Sequence, residues 1–587
     1  MVGGTYTGPE KLVFAIDLGT TMSAVAFAHL LNGQETRVRL VTRWPGQEEF
    51  AGDCKVPSVV GYDPNGRAVQ FGAQAVENAE CLENIQLVRW FKLHLHPDTM
   101  KAANNLTPPP LPDGVTLKTV YVDLLTYLFT HARDYVDSTS LDIGGQGTLW
   151  SRLGTKFELC LAIPNGWDEV QQQFLREAVV TAGIFPADHD VDRLKFVSEA
   201  EAAVHFAIVY ANIGTWLRVG NTLVVCDAGG STVDSTVYKC TSTSPLQLEE
   251  VTSSECVQAG GAFLDWEAER VLRRRLEGSR YGHPEIVDIM VREFERKTKR
   301  KFDGSPEESF IQFGLPSDSD PLCGIRMGRI KFSSDEVKAI FQPPIDAIAN
   351  SIDDLLTRAG HVDAFLLVGG FGDSAYLSNT FKERLAHHGI NKVNIDEPTK
   401  KAAAEGAITW CAKQHVVARA ARATFGIQVS RPFVPGQHVR KQSHVSADGQ
   451  RMVAGVFSPL VLKNQVIQHD LSVVSPFVQT YNERPKSLSQ FEIDLMSSDS
   501  ATPGTLCQTK NGILMPGMRR VCTLRADLSG MLGHIQVHRP KGKPPFWRFE
   551  FGVEMYFGQT SLCAAVVWKE NGQVRKGRVA VIPNSII

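Results

Sequence analysis

The sequence contains two short segments that decide the fold: FAIDLGTT at residues 14–21 and VVCDAGGSTVD at residues 224–234. Each is an apolar run that ends in an aspartate, followed by small residues and a threonine. An apolar run of this length bounded by glycine predicts a buried strand. Glycine has no Cβ, so a glycine-rich turn lets backbone N–H groups approach an anion closely. Two such turns facing each other are expected to hold a metal triphosphate from both sides.

The polar residues of these turns predict which side chains contact the metal ion and which contact the phosphates. Asp17 and Asp227 end the two strands, where a carboxylate can hold Mg²⁺ through the waters that this ion usually keeps. Asp234 repeats the acidic position seven residues after Asp227. Phosphate contacts are expected from the small residues of both turns: Gly19, Thr20, Thr21, Gly229, Gly230, Ser231 and Thr232. Either turn alone could equally be an unrelated strand-to-helix connection.

A third glycine motif follows downstream. The stretch LLVGGFG at residues 366–372 is an apolar strand that enters Gly369 and Gly370. Two adjacent glycines allow the backbone to lie flat against a base or a sugar, with Phe371 next to them. Because it comes after the two aspartate turns, this motif predicts that a nucleotide, and not a simple anion, is the ligand.

Composition excludes several classes of protein. The chain has 587 residues, which predicts several domains, and a formal charge of −3, which gives no overall bias toward nucleic acid or an anionic membrane. It contains no run of 18 apolar residues, and its N-terminus lacks the pattern of a secretory signal. The 11 cysteines form no C-x-x-C pair. We therefore expect reduced thiols in the cytosol or nucleus, and neither nucleic acid nor membrane as a partner.

The order of segments over residues 11–413 resembles the seventy-kilodalton heat-shock protein (DnaK-type) family, within the actin, sugar kinase and heat-shock ATPase superfamily. Besides the three glycine motifs, three stretches carry the likeness: AIPNGWDEVQQQFLREAVVTAG at 162–183, VSEAEAA at 197–203 and VQAGGAFLD at 257–265. The resemblance implies an α/β fold, a two-lobed actin-like ATPase with duplicated ribonuclease-H-like cores, followed by a β-rich C-terminal domain.

The same resemblance implies the domain boundaries. Residues 1–10 would be a flexible tail, and residues 11–413 the nucleotide-binding domain. Within it, lobe I would cover about 11–215 plus 400–413, and lobe II about 216–399. Residues 414–587, where short strand-like segments alternate with turns, would form the β-rich domain, which could bind a peptide.

Further site residues follow from the resemblance. Lys92, with Arg89 as an alternative, would contact the transferred phosphate; the competing interpretation is a solvated lysine on a helix predicted over residues 77–95. Glu199 or Asp234 would orient the attacking water. The adenosine side would be formed by Gly260, Gly261, Gly369, Gly370 and Phe371, together with Lys297, Lys299 or Arg300 from a basic helix.

The chain departs from the family at several positions. Ala200 stands where the family has a proline, although Pro164 is retained, and Ser231 replaces a glycine of the second phosphate turn. The arginine that the family stacks on adenine is missing after Gly370. Residues 416–423 contain no acidic–leucine linker, and nothing resembles the helical lid. These departures indicate a divergent, lid-less branch.

The predicted function is that of a slow, Mg²⁺-dependent ATPase that works as a chaperone-like conformational switch. Expected partners are unfolded or extended peptides and a co-chaperone or exchange factor. Two alternatives remain open from the sequence: a small-molecule kinase of the sugar-kinase type, and a nucleotide-binding scaffold that does not hydrolyse its ligand.

Overall fold

A computed structural model describes most of the chain. The described residues are 5–47, 52–78, 84–97, 100, 108–139, 148–167, 169–186, 193–211, 213–393, 401–436, 443–468, 472–509, 512–542, 544–556, 563–570, 572–576 and 580–583. The chain forms two compact units. The first comprises Met1–Trp167, Phe174–Leu248 and Ser254–Val416, and the second Asp168–Gln173, Glu249–Ser253 and Val417–Ile587.

The strands that precede the second unit's main segment are β1 (Lys11–Asp17), β2 (Met22–Leu30), β3 (Arg39–Leu40), β4 (Val56–Pro57), β5 (Val60–Tyr62), β6 (Ala68–Phe71), β7 (Gln86–Val88), β8 (Glu158–Ile163), β9 (Leu194–Ser198), β10 (Thr222–Ala228), β11 (Val233–Thr243), β12 (Leu246–Glu250), β13 (Glu255–Val257), β14 (Ser309–Gln312), β15 (Ile325–Arg326), β16 (Arg329–Phe332), β17 (Ala364–Val368) and β18 (Asn391–Val393).

The α-helices are α1 (Gly72–Glu77), α2 (Lys92–Leu95), α3 (Leu117–Thr139), α4 (Leu149–Leu153), α5 (Glu169–Thr181), α6 (Glu199–Tyr210), α7 (Ile213–Trp216), α8 (Ala262–Arg275), α9 (Pro284–Glu293), α10 (Lys299–Lys301), α11 (Ser334–Ala359), α12 (Ala375–His387) and α13 (Ala402–Ala412). A π-helical turn, Phe294–Thr298, joins α9 to α10.

The first unit contains two sheets that share one pattern of pairing. In the first sheet the order is β3-β2-β1-β8-β9, where β1 is antiparallel to β2 and parallel to β8. In the second sheet the order is β18-β17-β10-β11-β12, where β10 is antiparallel to β11 and parallel to β17. In both sheets the central strand is followed by a tight antiparallel turn, and its other edge carries a parallel strand. The predicted mixed α/β class is confirmed.

Helices α6 and α13 pack on each other beside both sheets. An ideal Cβ built on Gly406 of α13 would lie 1.8 Å from the carbonyl oxygen of Ala202 in α6, so the two helices approach each other at a distance that only glycine permits. Two polar contacts also join the helices: the indole of Trp410 donates to Glu201 at 2.7 Å, and Tyr210 donates to Glu405 at 2.8 Å.

The start of the chain differs from the prediction of a tail. Tyr6 is buried, and its backbone N–H donates to the carbonyl of Gln34 at 2.8 Å. The carbonyl of Tyr6 in turn accepts from the N–H of Gly33 at 2.8 Å. These bonds attach the described part of this segment to the end of β2, while residues 1–4 lie outside the described residues.

The second unit is built from antiparallel strands, β19 (Val416–Ala420), β20 (Thr424–Pro432), β21 (Ser443–Val445), β22 (Arg451–Val461), β23 (Val466–Gln468), β24 (Ser472–Tyr481), β25 (Phe491–Ser498), β26 (Met518–Ala526), β27 (Gln536–His538), β28 (Phe546–Tyr556), β29 (Cys563–Glu570), β30 (Gln573–Lys576) and β31 (Ala580–Pro583). One sheet has the order β21-β22-β20-β25-β26-β31, and the other β24-β28-β29-β30 with β27 on β28. Apolar residues of both sheets, such as Leu495 and Val553, form one buried cluster.

Within the described part of the chain, no helix combines the length and the apolar character needed to cross a bilayer.

The close crossing of α6 and α13 generates a prediction for Gly406→Ala. A glycine-to-alanine change inside a helix normally stabilises it by roughly 0.5–1 kcal/mol. Here the added methyl group meets the backbone of Ala202. We therefore expect a loss of about 1–3 kcal/mol in the free energy of unfolding, the usual cost of overpacking, measured by urea denaturation.

The control is Gly52→Ala, at an exposed site with open space around the new methyl group. It should change stability little. A Gly406→Ala protein as stable as the parent would contradict the close helix crossing.

Candidate functional site

The two aspartate turns lie against each other. One turn joins β1 to β2 and the other joins β10 to β11, as the sequence predicts. The hydroxyl groups of Thr20 and Ser231, one from each turn, are hydrogen-bonded at 2.6 Å. Both side chains are buried, and they are 211 positions apart in sequence.

Glycines make this contact possible. An ideal Cβ on Gly230 would lie 2.8 Å from the hydroxyl of Thr21 in the opposite turn. On the other side, a Cβ on Gly260 would lie 2.5 Å from the backbone carbon of Gly230. The backbone N–H groups of Gly260 and Gly261 donate to the carbonyls of Ser231 and Gly229, each at 3.0 Å. Gly260 and Gly261 thus support the second turn from behind.

The third glycine motif continues β17, the parallel neighbour of β10. Gly369 has φ +89°, and a Cβ there would lie 2.2 Å from Oδ1 of Asp227. Gly369 therefore cannot carry a side chain without displacing the carboxylate. Gly370, in contrast, has open space where a Cβ would be. It lines a cavity that is also lined by residues of both aspartate turns.

Four carboxylates and two lysines face one another at this place. Lys92 Nζ lies 2.9 Å from Oε1 of Glu199, and Lys401 Nζ lies 3.2 Å from Oδ2 of Asp17. The remaining two carboxylates belong to Asp227 and Asp234, which are paired residues across β10 and β11.

Burial raises the pKa values of three acids in this cluster. It raises the pKa of Glu199 to about 7, although Lys92 opposes the shift. Burial, reinforced by the negative charges of Glu199 and Asp17, also holds the pKa of Asp227 well above its ordinary value. The pKa of Asp234 is likewise raised, chiefly by burial.

The pKa values of the two lysines are raised, which keeps both side chains charged. Burial by itself would lower the pKa of Lys92, but the carboxylates of Glu199 and Asp17 outweigh it, and the pKa is raised. The pKa of Lys401 is raised in the same way by Asp17 and Asp227, against burial. With four carboxylates and two ammonium groups, the cluster has an excess of acidic groups.

One cavity collects most of the predicted site residues. The predicted residues that line it are Asp17, Gly19, Thr20, Thr21, Lys92, Glu199, Asp227, Gly229, Gly230, Ser231, Thr232, Gly369 and Gly370. These residues converge on one cavity from both sheets.

Other predicted residues lie outside the lining of this cavity. Asp234 is fully buried and accepts from the backbone N–H of Asn165 at 2.6 Å. Phe371 is buried with its ring 6.3 Å from that of Phe341. Gly260 and Gly261 support the second turn. We place these residues behind the site.

Of the three basic residues predicted for the adenosine side, Lys299 is the one that points inward. Lys297 is exposed and paired with Glu293, and Arg300 is also exposed. After the π-helical turn, Lys299 points inward: its Nζ lies 2.7 Å from the buried Asp265, and its side chain borders Gly261. Burial raises the pKa of Asp265 to about 7, with Lys299 opposing.

Lys92 occupies a different local structure from the predicted helix over residues 77–95. Among the described residues of that range, Glu77 ends α1, and the others include strand β7, which pairs with β5, and the short helix α2. Between them Trp90 has φ +55°, a left-handed conformation that ends any helix there. Lys92 is 4% exposed, which rules out the solvated-lysine interpretation.

Sequence reasoning missed several polar residues of the site. Lys401, Lys55 and Asp373 line the same cavity, and burial raises the pKa of Asp373. His96 also lies in the site, 3.3 Å from Ser231. The only local signal was the sequence K-K-A-A-A-E-G, where a lysine precedes an alanine-rich helix that has to pack closely.

The acidic excess fits a cation that is held indirectly. Among the described residues, no group of three or more His, Cys, Asp or Glu side chains is arranged to hold a metal ion directly. Asp17 and Asp227 face the cavity from opposite turns. Mg²⁺ commonly keeps several waters and needs only one or two carboxylates, so these two residues fit it.

The crowded carboxylates predict a cost in stability. An acid whose pKa is higher in the folded than in the unfolded chain binds more protons when folded, so stability falls as the pH rises above the unfolded value. Asp227→Asn removes this ionisation. We expect it to raise the free energy of unfolding by at least about 1 kcal/mol at pH 8, with a smaller gain at pH 5, measured by urea denaturation.

The matched control is Asp346→Asn, on the exposed face of α11, which should leave the free energy of unfolding within about 0.5 kcal/mol of the parent's. A destabilised Asp227→Asn protein, or a gain that does not change with pH, would overturn the charge argument.

Known proteins supply an independent comparison. No family model matches the chain. Heat shock 70 kDa protein 12A from human is 22% identical to it, and the mouse protein of the same name 23%; both alignments cover 95% of this chain and 89% of the relative. Human heat shock 70 kDa protein 12B is 23% identical over 78% of this chain and 76% of its own length. The resemblance predicted from the motif order is thereby confirmed: the chain is a divergent relative of the heat shock 70 kDa proteins 12A and 12B.

Proposed function

We propose that the protein binds an adenine nucleotide with Mg²⁺ and hydrolyses it slowly, as a chaperone-like conformational switch. The observation that carries the proposal is the contact between the turns that contain Thr20 and Ser231, which bring Asp17 and Asp227 to one cavity. The relatives that align with most of the chain are named heat shock 70 kDa proteins, which supports the same assignment.

The phosphates would lie between the two turns. Thr20, Thr21, Ser231 and Thr232 line the cavity and would contribute hydroxyl groups. Asp17 and Asp227 would hold Mg²⁺ through its waters. The ion would neutralise charge on the phosphate oxygens and orient them for transfer.

The protein's own groups would act mainly by position and charge, because phosphoryl transfer needs little covalent chemistry from the enzyme. Lys92 carries a fixed positive charge in a buried position, where it stabilises negative charge more strongly than it would in water. Its partner Glu199, with a pKa near 7, can accept a hydrogen bond from the attacking water. Asp234 supports this region through Asn165.

The adenosine would lie toward Gly369 and Gly370. The open face of Gly370 offers a flat surface there. Lys299, held by Asp265 beside Gly261, is the basic residue placed best to reach the ribose. In this proposal the two sheets with their shared strand pairing are the duplicated ribonuclease-H-like cores of two lobes.

The second unit would receive an extended peptide. Its strand β24 comes first in its sheet, and Val474 and Val478 are 52% and 50% exposed. A strand at such an edge offers backbone groups for pairing with another chain. Peptide clients and a co-chaperone or exchange factor belong to the same proposal.

One observation favours a second candidate, a scaffold that binds nucleotide without hydrolysing it. The ammonium group of Lys401 is paired with Oδ2 of Asp17 and lies 3.4 Å from the carbonyl of Met22. This lysine occupies part of the carboxylate that would otherwise hold a hydrated cation. A scaffold would show nucleotide-dependent stabilisation with no turnover.

The deciding measurement is release of ADP from Mg-ATP by the purified protein, with and without added peptide. Asp17→Asn should lower turnover roughly a hundredfold, because it removes one preorganised charged group. Asp346→Asn is the matched control and should keep the parent rate. Equal turnover in Asp17→Asn and the parent would remove Asp17 from the site, whereas no turnover with a nucleotide-dependent rise in Tm would support the scaffold.

A second variant tests the position of the nucleotide. Gly370→Val adds a side chain that meets no protein atom within contact distance of its Cβ, so the fold should persist. The side chain would instead enter the cavity. We expect at least a tenfold loss of affinity for Mg-ADP, measured by calorimetry.

Gly504→Val, at a site in the second unit with open space around its Cβ, is the control. Affinity equal to the parent's in Gly370→Val would exclude this face as the adenosine site.

A further inference from the structure

A buried chain of hydrogen bonds leads from an indole ring to the two phosphate turns. Nε1 of Trp167 donates to Nδ1 of His96 at 2.9 Å. Nε2 of His96 lies 3.3 Å from Oγ of Ser231, which is 2.6 Å from Oγ1 of Thr20. All four side chains are at most 4% exposed.

The chemistry of the first donor determines the state of the imidazole. An indole nitrogen can only donate, so Nδ1 of His96 has to accept and cannot carry a proton. The ring is therefore neutral with its proton on Nε2, and this N–H donates to Ser231. Trp167 thus selects one tautomer of His96.

The hydroxyl pair then has one hydrogen left over. Thr20 and Ser231 have two hydroxyl hydrogens, and the bond between them uses one. Because His96 donates to Ser231, the serine cannot turn its own hydrogen back toward the imidazole. Whichever of the two hydroxyls donates within the pair, the other one directs its hydrogen elsewhere, and both residues line the cavity.

We propose that His96, oriented by Trp167, is a positioning residue that directs the spare hydroxyl hydrogen of the Thr20–Ser231 pair toward a phosphate group in the cavity. The inference rests on the proposed function, since it names phosphate as the acceptor. Ser231 stands where the resembled family has glycine, and His96 orients the hydroxyl group that this serine adds.

The indole ring of Trp167 also contacts Lys92. The ammonium of Lys92 lies over the Trp167 ring, 5.3 Å from its centroid. Trp167 therefore holds both Lys92 and His96, one through its ring face and the other through its N–H. Replacement by phenylalanine keeps an aromatic face near Lys92 and removes the donor to His96, together with part of the indole's volume.

The tautomer can be tested without any ligand. In the apo protein labelled with ¹⁵N-histidine, the signal of His96, identified by its loss in His96→Gln, should be that of a neutral ring protonated at Nε2. Trp167→Phe should allow a mixture of tautomers. A ring protonated at Nδ1, or doubly protonated, in the parent protein at neutral pH would overturn the proposal.

Ligand affinity tests the consequence. His96→Leu should weaken binding of Mg-ADP about tenfold, the value of one lost hydrogen bond of about 1.4 kcal/mol. His96→Gln, which keeps a donor, should recover most of this loss. Adenosine, which lacks phosphate, should bind equally to all variants. A merely structural role for His96 would weaken adenosine and Mg-ADP alike and would contradict the proposal.

A double-mutant cycle with Ser231→Ala completes the test. In the Ser231→Ala background, His96→Leu should have little further effect on Mg-ADP affinity, because the residue that it positions is gone. Independent, additive effects would overturn the inference. If the parent protein binds no nucleotide, the proposed function fails, and with it the phosphate part of the inference, while the ¹⁵N spectra still decide the tautomer.

Discussion

The close contact between two glycine-rich turns is the constraint on which the rest of the site depends. Thr20 and Ser231 come from different sheets, and their hydroxyls can meet only because Gly230 and Gly260 carry no side chains. Once the turns meet, Asp17 and Asp227 are directed into one cavity. Each sheet by itself contributes one side of the cavity lining, and the contact brings the two sides together.

The buried carboxylates around the cavity lower the free energy of unfolding at neutral pH. Burial raises the pKa values of Glu199, Asp227 and Asp234, so their ionisation opposes folding at neutral pH. Lys92 and Lys401 offset part of the negative charge. A protein selected for stability alone would replace some of these acids, and their concentration around one cavity is typical of a functional site.

Much of the fold and of the cavity could be predicted from local sequence. The strands around Asp17 and Asp227 are apolar runs that end at glycine, and this pattern can be recognised in the sequence without tertiary information. The continuous helix predicted over residues 77–95 was wrong for the described residues 86–90, because pairing of β7 with β5 and the left-handed Trp90 override local periodicity. His96 was missed because no motif marks it, and Lys401 because a lysine before an alanine-rich helix does not by itself predict a contact with Asp17.

The sequence by itself determined the mixed α/β class, the two aspartate turns and the glycine motif that follows, because backbone constraints at glycine and burial of apolar runs act locally. Only the tertiary structure decided which charges meet. Lys401 pairs with Asp17 across 384 positions, and His96 reaches Ser231 across 135. Electrostatic and hydrogen-bond partners depend on distance in space, and the packing of separate segments sets that distance.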